Sequence, residues 1–228
     1  HVNFSRPMPL FPLDSVALLP QQVIPLHIFE PRYRQLIDHA LDAAGQVAMA
    51  TYQGEAWKDE YHGNPPLLPA VCVGMIVEHQ RLPAGRYNIL LQGVCRARIV
   101  QHFMPDEPHQ YRRALLEPIG EDPVDPDQLD RARERIDDLL SEGPLTQLAA
   151  ADEVLKFIRN PDVPTQALLE LVAFALIKDA RARYHLLAEP DPDRRCALVE
   201  HQLGRLGDLI RRAQAQHPER WPRGCSWN

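Results

Sequence analysis

The chain has 228 residues, 45% of them hydrophobic and 25% charged, with a formal net charge of -6 at pH 7. That length leaves room for about one or two domains with a sizeable buried core, and the composition is that of an ordinary soluble protein. The acidic balance argues against a general nucleic-acid binder, whose phosphate affinity comes from an excess of Lys and Arg.

The extended stretch up to Pro31 carries Pro9, Pro12, Pro20, Pro25 and Pro31. Each proline removes a ladder donor, so the strands here are predicted to be short, edge-like or bulged. Ile24, Leu26 and Ile28 alternate with Pro25, His27 and Phe29, the period of a strand with one face turned to a core; Leu26 and Phe29 are expected to matter for stability. From Pro31 the period becomes helical, with Tyr33, Leu36, Ile37, Ala40, Leu41 and Ala44 on one stripe. Pro31 suits a first helical position, Gly45 suits a C-terminal cap, and Glu30 is expected to cap the helix.

Gln46 to Tyr52 reads as a strand, and residues 53–69 then break every pattern. A loop of this length in a compact domain is usually a binding loop or disordered. Val71, Val73, Met75 and Val77 alternate, LPAGR turns the chain, and Tyr87, Ile89 and Leu91 answer as the second arm of a hairpin. Gly93 marks a bulge, after which Cys95, Ala97 and Ile99 face one way and Arg96 and Arg98 the other. YRRALLEPI (111–119) supplies a last strand.

Residues 120–127, GEDPVDPD, read as a linker, and the chain beyond is helical. One amphipathic helix carries Leu129, Ala132, Ile136, Leu139 and Leu140; a second carries Val154, Leu155 and Ile158. The third, from about Pro164 to Ile177, is apolar almost all round and is expected at the centre of this half. A short helix across Asp179 to Ala188 precedes a last one, capped by Asp191, whose Cys196, Val199, Leu203, Leu206, Ile210 and Ala213 hold a heptad-like stripe. The expected architecture is α+β: a β-rich, partly open barrel with one helix over 7–120, a helical bundle over 121–217, and a flexible tail at 218–228.

Three stretches carry a family resemblance. PLFPL (Pro9, Leu10, Phe11, Pro12, Leu13) is followed by PLHIFEPRYR, which holds Pro25, Leu26, Phe29, Glu30, Pro31, Arg32 and Tyr33, and then by Val73 to Ile99 with its Gly-x-x-Arg-x-Arg ending. Together they resemble the N-terminal, substrate-recognition domain of the Lon proteases and, more distantly, the Lon-like region of the cereblon ubiquitin-ligase receptors. The resemblance runs over roughly residues 7–215, by motif in the first half and by helical pattern in the second. It implies a domain that binds unfolded or tagged polypeptides.

The rest of a Lon protease is not legible. No G-x-x-x-x-G-K-[ST] phosphate loop occurs, and no Gly-Lys pair exists. Ser5, Ser15, Ser141 and Ser226 stand in no context resembling that family's Ser and Lys dyad. Ten histidines lack metal-site spacing, with no H-E-x-x-H, and neither G-x-S-x-G nor a dinucleotide fingerprint is present. Cys72, Cys95, Cys196 and Cys225 lie far apart without C-x-x-C spacing, which predicts free thiols in a reducing cytosol. No apolar run reaches the ~20 residues of a membrane span, and no secretory signal is legible.

The expectation is therefore a stand-alone, cytoplasmic, non-catalytic polypeptide-recognition module with no cofactor and no metal. Its expected partners are unfolded or extended polypeptide segments or one partner protein, with no nucleic acid and no membrane. Trp57 and Tyr61, large rings in the 53–69 loop, are the first candidates for peptide contact, because aromatics add contact area at low entropy cost. Arg96 and Arg98 are candidates for gripping a carboxylate or a peptide backbone. Two other readings stay open: a scaffold for one folded partner, and an enzyme with a pocket between the two halves.

Overall fold

The computed structural model describes residues 2–14, 16–59, 63–120 and 126–216. Most of the expected linker, the 218–228 tail and Tyr61 lie outside the described residues. The chain forms two compact units, His1–Pro123 with Lys178–Arg195, and Val124–Ile177 with Cys196–Asn228.

The first unit is a mixed six-stranded sheet. Its strands are β1 (Met8–Leu13), β2 (Val23–Ile28), β3 (Gln46–Thr51), β4 (Ala70–Arg81), β5 (Tyr87–Phe103) and β6 (Arg113–Pro118), in the order β2-β5-β4-β3-β1-β6. β6 pairs with β1 and also with the far end of β5. Five strands therefore close a ring, while β2 pairs only with the first half of β5. The ring has an apolar interior built by alternation: Met8 and Leu10, Ala48 and Ala50, Val71 and Val73, Ala97, and Ala114 and Leu116 all belong to one buried cluster. Alanine supplies four of these positions, which suits the narrow interior of a small ring.

Long β5 manages the closure with bulges. The β4 and β5 register slips between Val73 and Gly74 and again between Ile76 and Glu78, and the β5 and β6 register slips between Ile99 and Gln101. The residues left over are Val94, Val77 and Val100, and all three are exposed, at 39%, 50% and 60%. These apolar side chains are outside because the strand must bend there. Gly93 is required beside the first bulge: a Cβ there would sit 2.2 Å from the Leu19 carbonyl oxygen. The same backbone approach gives two hydrogen bonds, from the Gln21 N–H to the Gly93 oxygen (2.9 Å) and from the Gly93 N–H to the Gln22 oxygen (2.8 Å).

Helix α1 (Pro31–Leu41) starts at proline and buries Tyr33, Leu36, Ile37 and Ala40. Gly45, with φ of 67°, closes its C-terminus by donating to the Ala40 carbonyl (2.8 Å). Glu30 corrects one expectation. It occupies the cap position, but its side chain makes no cap bond; the carboxylate pairs instead with Arg32 Nε at 3.1 Å. The backbone carbonyl of Glu30 receives the Tyr33 and Arg34 N–H groups.

The second unit contains α2 (Pro126–Ser141), α3 (Ala151–Ile158), α4 (Thr165–Leu176) and most of α6 (Pro192–Ala215). α5 (Ala180–Ala188), expected with these helices, belongs to the sheet unit. The Tyr184 hydroxyl accepts from the Ala70 N–H (3.0 Å), and the Leu186 carbonyl accepts from Arg96 Nε (3.3 Å). Helical period alone could not reveal such a return to the sheet. α4 buries Leu168, Leu169, Val172, Ala173 and Leu176, as its composition predicts. Asp191 caps α6 by accepting from the Asp193 N–H at 2.9 Å. Arg133 closes α3 from α2, donating to the Ile158 carbonyl (2.6 Å), the Val163 carbonyl (2.8 Å) and the Phe157 and Asn160 carbonyls. These are the orphan acceptors of a helix C-terminus and the turn after it. Among the described residues, no helix is long and apolar enough to cross a membrane.

Candidate functional site

Two features of the sheet unit are candidates for a binding site. The first is the arm beyond the ring, formed by β2, the first half of β5 and the second half of β4. β3 leaves β4 at Met75, and only one further bond, from the Ile76 N–H to the Gly45 carbonyl (2.8 Å), continues that side. Among the described residues, no strand pairs with Val77–Arg81 or with β2 on the side away from β5. Both edges of the arm therefore keep ladder groups available, although Pro25 removes one donor from β2.

Alternation decides the two faces of the arm. Ile24, Leu26 and Ile28 pair with Leu91, Ile89 and Tyr87, and Ile28 and Leu91 are fully buried. The opposite row is Val23, Pro25, His27 and Phe29. Val23 is 42% and Phe29 61% exposed, so Phe29 is a surface ring and not a packing position as expected. Leu26 is half-buried. His27 stacks on Phe29 with ring centroids 6.1 Å apart, and its Nδ1 lies 2.7 Å from the Asn88 Oδ1. Beside this row runs a groove of about 410 Å³, lined by Pro25, His27, Glu78, Gln80, Asn88 and Leu90 among others.

The second feature is a cavity of about 260 Å³. Leu10 and Tyr52, both of the ring's interior cluster, line it together with Arg32, Tyr33, Tyr111 and Arg112. Arg112 is 8% exposed and donates through Nη1 to the Pro65 carbonyl at 2.6 Å, while its buried Nε has no partner among the described residues. The Arg32 guanidinium lies 4.6 Å over the Tyr33 ring, and Tyr33 in turn packs on Phe11, with centroids 4.6 Å apart. Burial, reinforced by the Tyr52 phenol, holds the Tyr33 hydroxyl well above the usual phenol range, so it stays neutral.

The residues expected from sequence to touch peptide are dispersed. The Trp57 ring stacks on Tyr52 (5.6 Å, 10°) and packs against the ring's interior cluster. Its loop is tied at both ends, by the Gln53 N–H to the Pro66 carbonyl and the Leu68 N–H to the Thr51 carbonyl, each 2.9 Å. Arg96 is 7% exposed and bonded to α5; Arg98 is on the same outward face and pairs with Glu117 at 3.0 Å. Tyr61 lies outside the described residues. Of the motif residues, Leu10, Phe11 and Tyr33 are buried, Leu10, Pro12, Arg32 and Tyr33 meet at the cavity, and Pro25, Leu26 and Phe29 belong to the arm.

Sequence reasoning missed both the outward row of the arm and Arg112. A signal for Arg112 existed. It is in phase with Ala114 and Leu116, the inward residues of β6, so alternation alone turns an arginine toward the core. Among the described residues, no group of three or more His, Cys, Asp or Glu is placed to hold a metal ion.

Comparison with known proteins now bears on this geometry. Residues 7–205 match the family described as the ATP-dependent protease La (LON) substrate-binding domain. The Lon protease of Trichlorobacter lovleyi is 28% identical over 217 residues, 93% of this chain and 26% of that protein. That of Geobacter metallireducens is 26% identical over 210 residues, 89% and 24% respectively. The chain thus spans about a quarter of the length of these curated relatives. Among solved structures, the N-terminal domain of the Mycobacterium avium complex Lon protease superposes with a TM-score of 0.66 at 20% identity, covering 87% of this chain and 98% of that one. A Lon N-terminal domain protein from Xanthomonas campestris gives 0.56 at 21% identity, covering 83% and 94%. These likenesses show a shared fold, and the family match covers most of the sequence: the chain belongs to the ATP-dependent protease La (LON) substrate-binding domain family.

Proposed function

We propose that this chain is a polypeptide-recognition module that holds extended, unfolded segments along the arm and carries out no chemistry itself. The observation that supports this most is the arm: two strand edges with open ladder groups beside an outward row that exposes Val23 and Phe29. An extended segment added to a sheet edge gains affinity from backbone bonds and selectivity from pockets for alternate side chains. The groove lined by Pro25, His27 and Leu90 supplies such a pocket. A folded protein keeps most of its backbone groups paired internally and its apolar side chains packed, so the arm favours extended, unfolded segments. The family's description as a substrate-binding domain points the same way.

The test uses the full chain and one polypeptide in two states, α-lactalbumin native and the same protein reduced and carbamidomethylated. Fluorescence anisotropy is expected to show saturable binding of the unfolded form and none of the native form. Equal binding of both states would count against the reading. Calorimetry with ATP and incubation with casein are expected to show neither binding nor cleavage.

A further inference from the structure

We propose that the cavity around Arg112 is a carboxylate-binding site that takes the C-terminal carboxylate of a bound polypeptide. The inference rests on the chain being a polypeptide binder, and it adds a second, chemically specific contact away from the arm.

The case begins with a buried charge. A guanidinium stays protonated at physiological pH, and a buried ion is tolerated when it is paired and hydrogen-bonded. Arg112 is 8% exposed, yet no carboxylate lies within ion-pair distance of it among the described residues, and its bonded nitrogen is Nη1, held by the Pro65 carbonyl. That bond ties down one of the three guanidinium nitrogens. It leaves the edge formed by Nε and Nη2, with Nε buried and unpartnered. Such a two-donor edge grips a carboxylate with parallel bonds once the side chain turns Nε, which is buried in the free chain, toward the ligand.

The surroundings fit the same ligand. Arg32 also lines the cavity, and its charge is balanced by Glu30 at 3.1 Å, so the pair of arginines carries a surplus of one positive charge. No acidic residue is among the described residues lining the cavity. Burial, to which Arg32 adds, lowers the affinity of Arg112 for its proton; a bound anion would reverse that penalty. A monoanion matches the surplus better than a dianionic phosphate. The volume of about 260 Å³ lies just below the ~300–1,000 Å³ typical of drug-sized ligands, which leaves room for one terminal residue. Leu10, Pro12, Tyr52 and Tyr111 give that residue's side chain an apolar and aromatic wall.

The test compares two fluorescent peptides of one apolar sequence without Asp or Glu, ending in a free carboxylate or in an amide, on the full chain. The free acid is expected to bind at least about tenfold more tightly, the worth of one charge-assisted bond pair. Arg112→Lys, which keeps charge but loses the two-donor edge, should remove most of that preference. Arg32→Gln, at a half-buried position, should reduce it severalfold, and its melting temperature measured alongside separates loss of the site from loss of the fold. N-acetyl-leucine should compete with the free acid, whereas N-acetyl-leucinamide should not. If N-acetyl-leucine alone shows the preference and the peptides do not, the source of the carboxylate is a small acid and the polypeptide assignment is overturned. Equal binding of acid and amide overturns the inference while leaving the polypeptide-binding reading intact. If neither peptide nor N-acetyl-leucine binds, both are wrong.

Discussion

The two ends of the same sheet solve the problem of backbone pairing in opposite ways. At the ring, β1, β3 and β6 are each paired on both sides, and the interior is filled by alternating apolar side chains, four of them alanine. At the arm, β2 and the end of β4 are each paired on one side, and the outward row exposes valine and phenylalanine. β4 and β5 run through both ends, so the arm continues the ring's sheet while its own edges stay available. The difference teaches where stability and recognition are separated: substitutions in the ring should cost folding, and substitutions on the arm should cost binding.

The largest expected effect is at the junction. Gly93→Ala would drive a Cβ onto the Leu19 carbonyl and break the exchange of hydrogen bonds with Gln21 and Gln22. Chemical denaturation should show a loss of about 3 kcal/mol or more. Within the ring, Leu10→Ala should cost about 2–5 kcal/mol, the range for a fully buried leucine. A loss under about 1 kcal/mol at Leu10 would mean that the interior is looser than its burial indicates.

On the arm, the expected pattern inverts. Phe29→Ala should change stability by no more than about 0.5 kcal/mol and weaken binding of unfolded polypeptide about tenfold. Trp57→Ala sharpens the comparison, because the ring stacks on Tyr52 at the closed end. It should cost about 1 kcal/mol of stability with unfolded-chain affinity unchanged. Were affinity to fall and stability to hold, Trp57 would be a contact residue and the arm would lose its special place.

The smallest effect is one of pH. His102, on β5 opposite Ala114, is exposed, yet partial desolvation of its ring and then the charge of Arg112 lower its pKa. A depressed histidine pKa means that the unfolded chain binds the proton more readily, so this residue's contribution is present above about pH 6.5 and is lost as pH falls through the lower folded value. Urea midpoints measured from pH 7.5 to 5 should decline slightly less in His102→Gln than in the parent. Parallel slopes would remove the assignment.

How much of this was legible in the sequence follows the physics of each element. The helix α1, with proline at its start and Gly45 at its end, and α6, with Asp191 before Pro192, are local signals and could be read directly. The bulge at Gly93 was legible because glycine interrupts a clean alternation, but that Leu19 forces it was not, since contacts across long separations leave no periodic trace. The same limit hid the assignment of α5 to the sheet. Arg133 looked like any solvent-face arginine of an amphipathic helix, although it closes the end of α3. At the candidate site, Trp57 and Tyr61 stood out as aromatics in a patternless loop, and the ring on which Trp57 stacks, Tyr52, comes just after the end of β3. The arm's edges depend on which strands do not pair, and absence of pairing cannot be read from one strand's composition.

Hydrogen exchange on the full chain, with and without saturating reduced and carbamidomethylated α-lactalbumin, tests the central claim most directly. Polypeptide added to an open edge should slow exchange at amides of Val23–Ile28 or Val77–Arg81 and leave those of β1, β3 and β6 unchanged. Saturated binding with protection confined to the ring or to α2, α3, α4 and α6, and none at either edge of the arm, would contradict it.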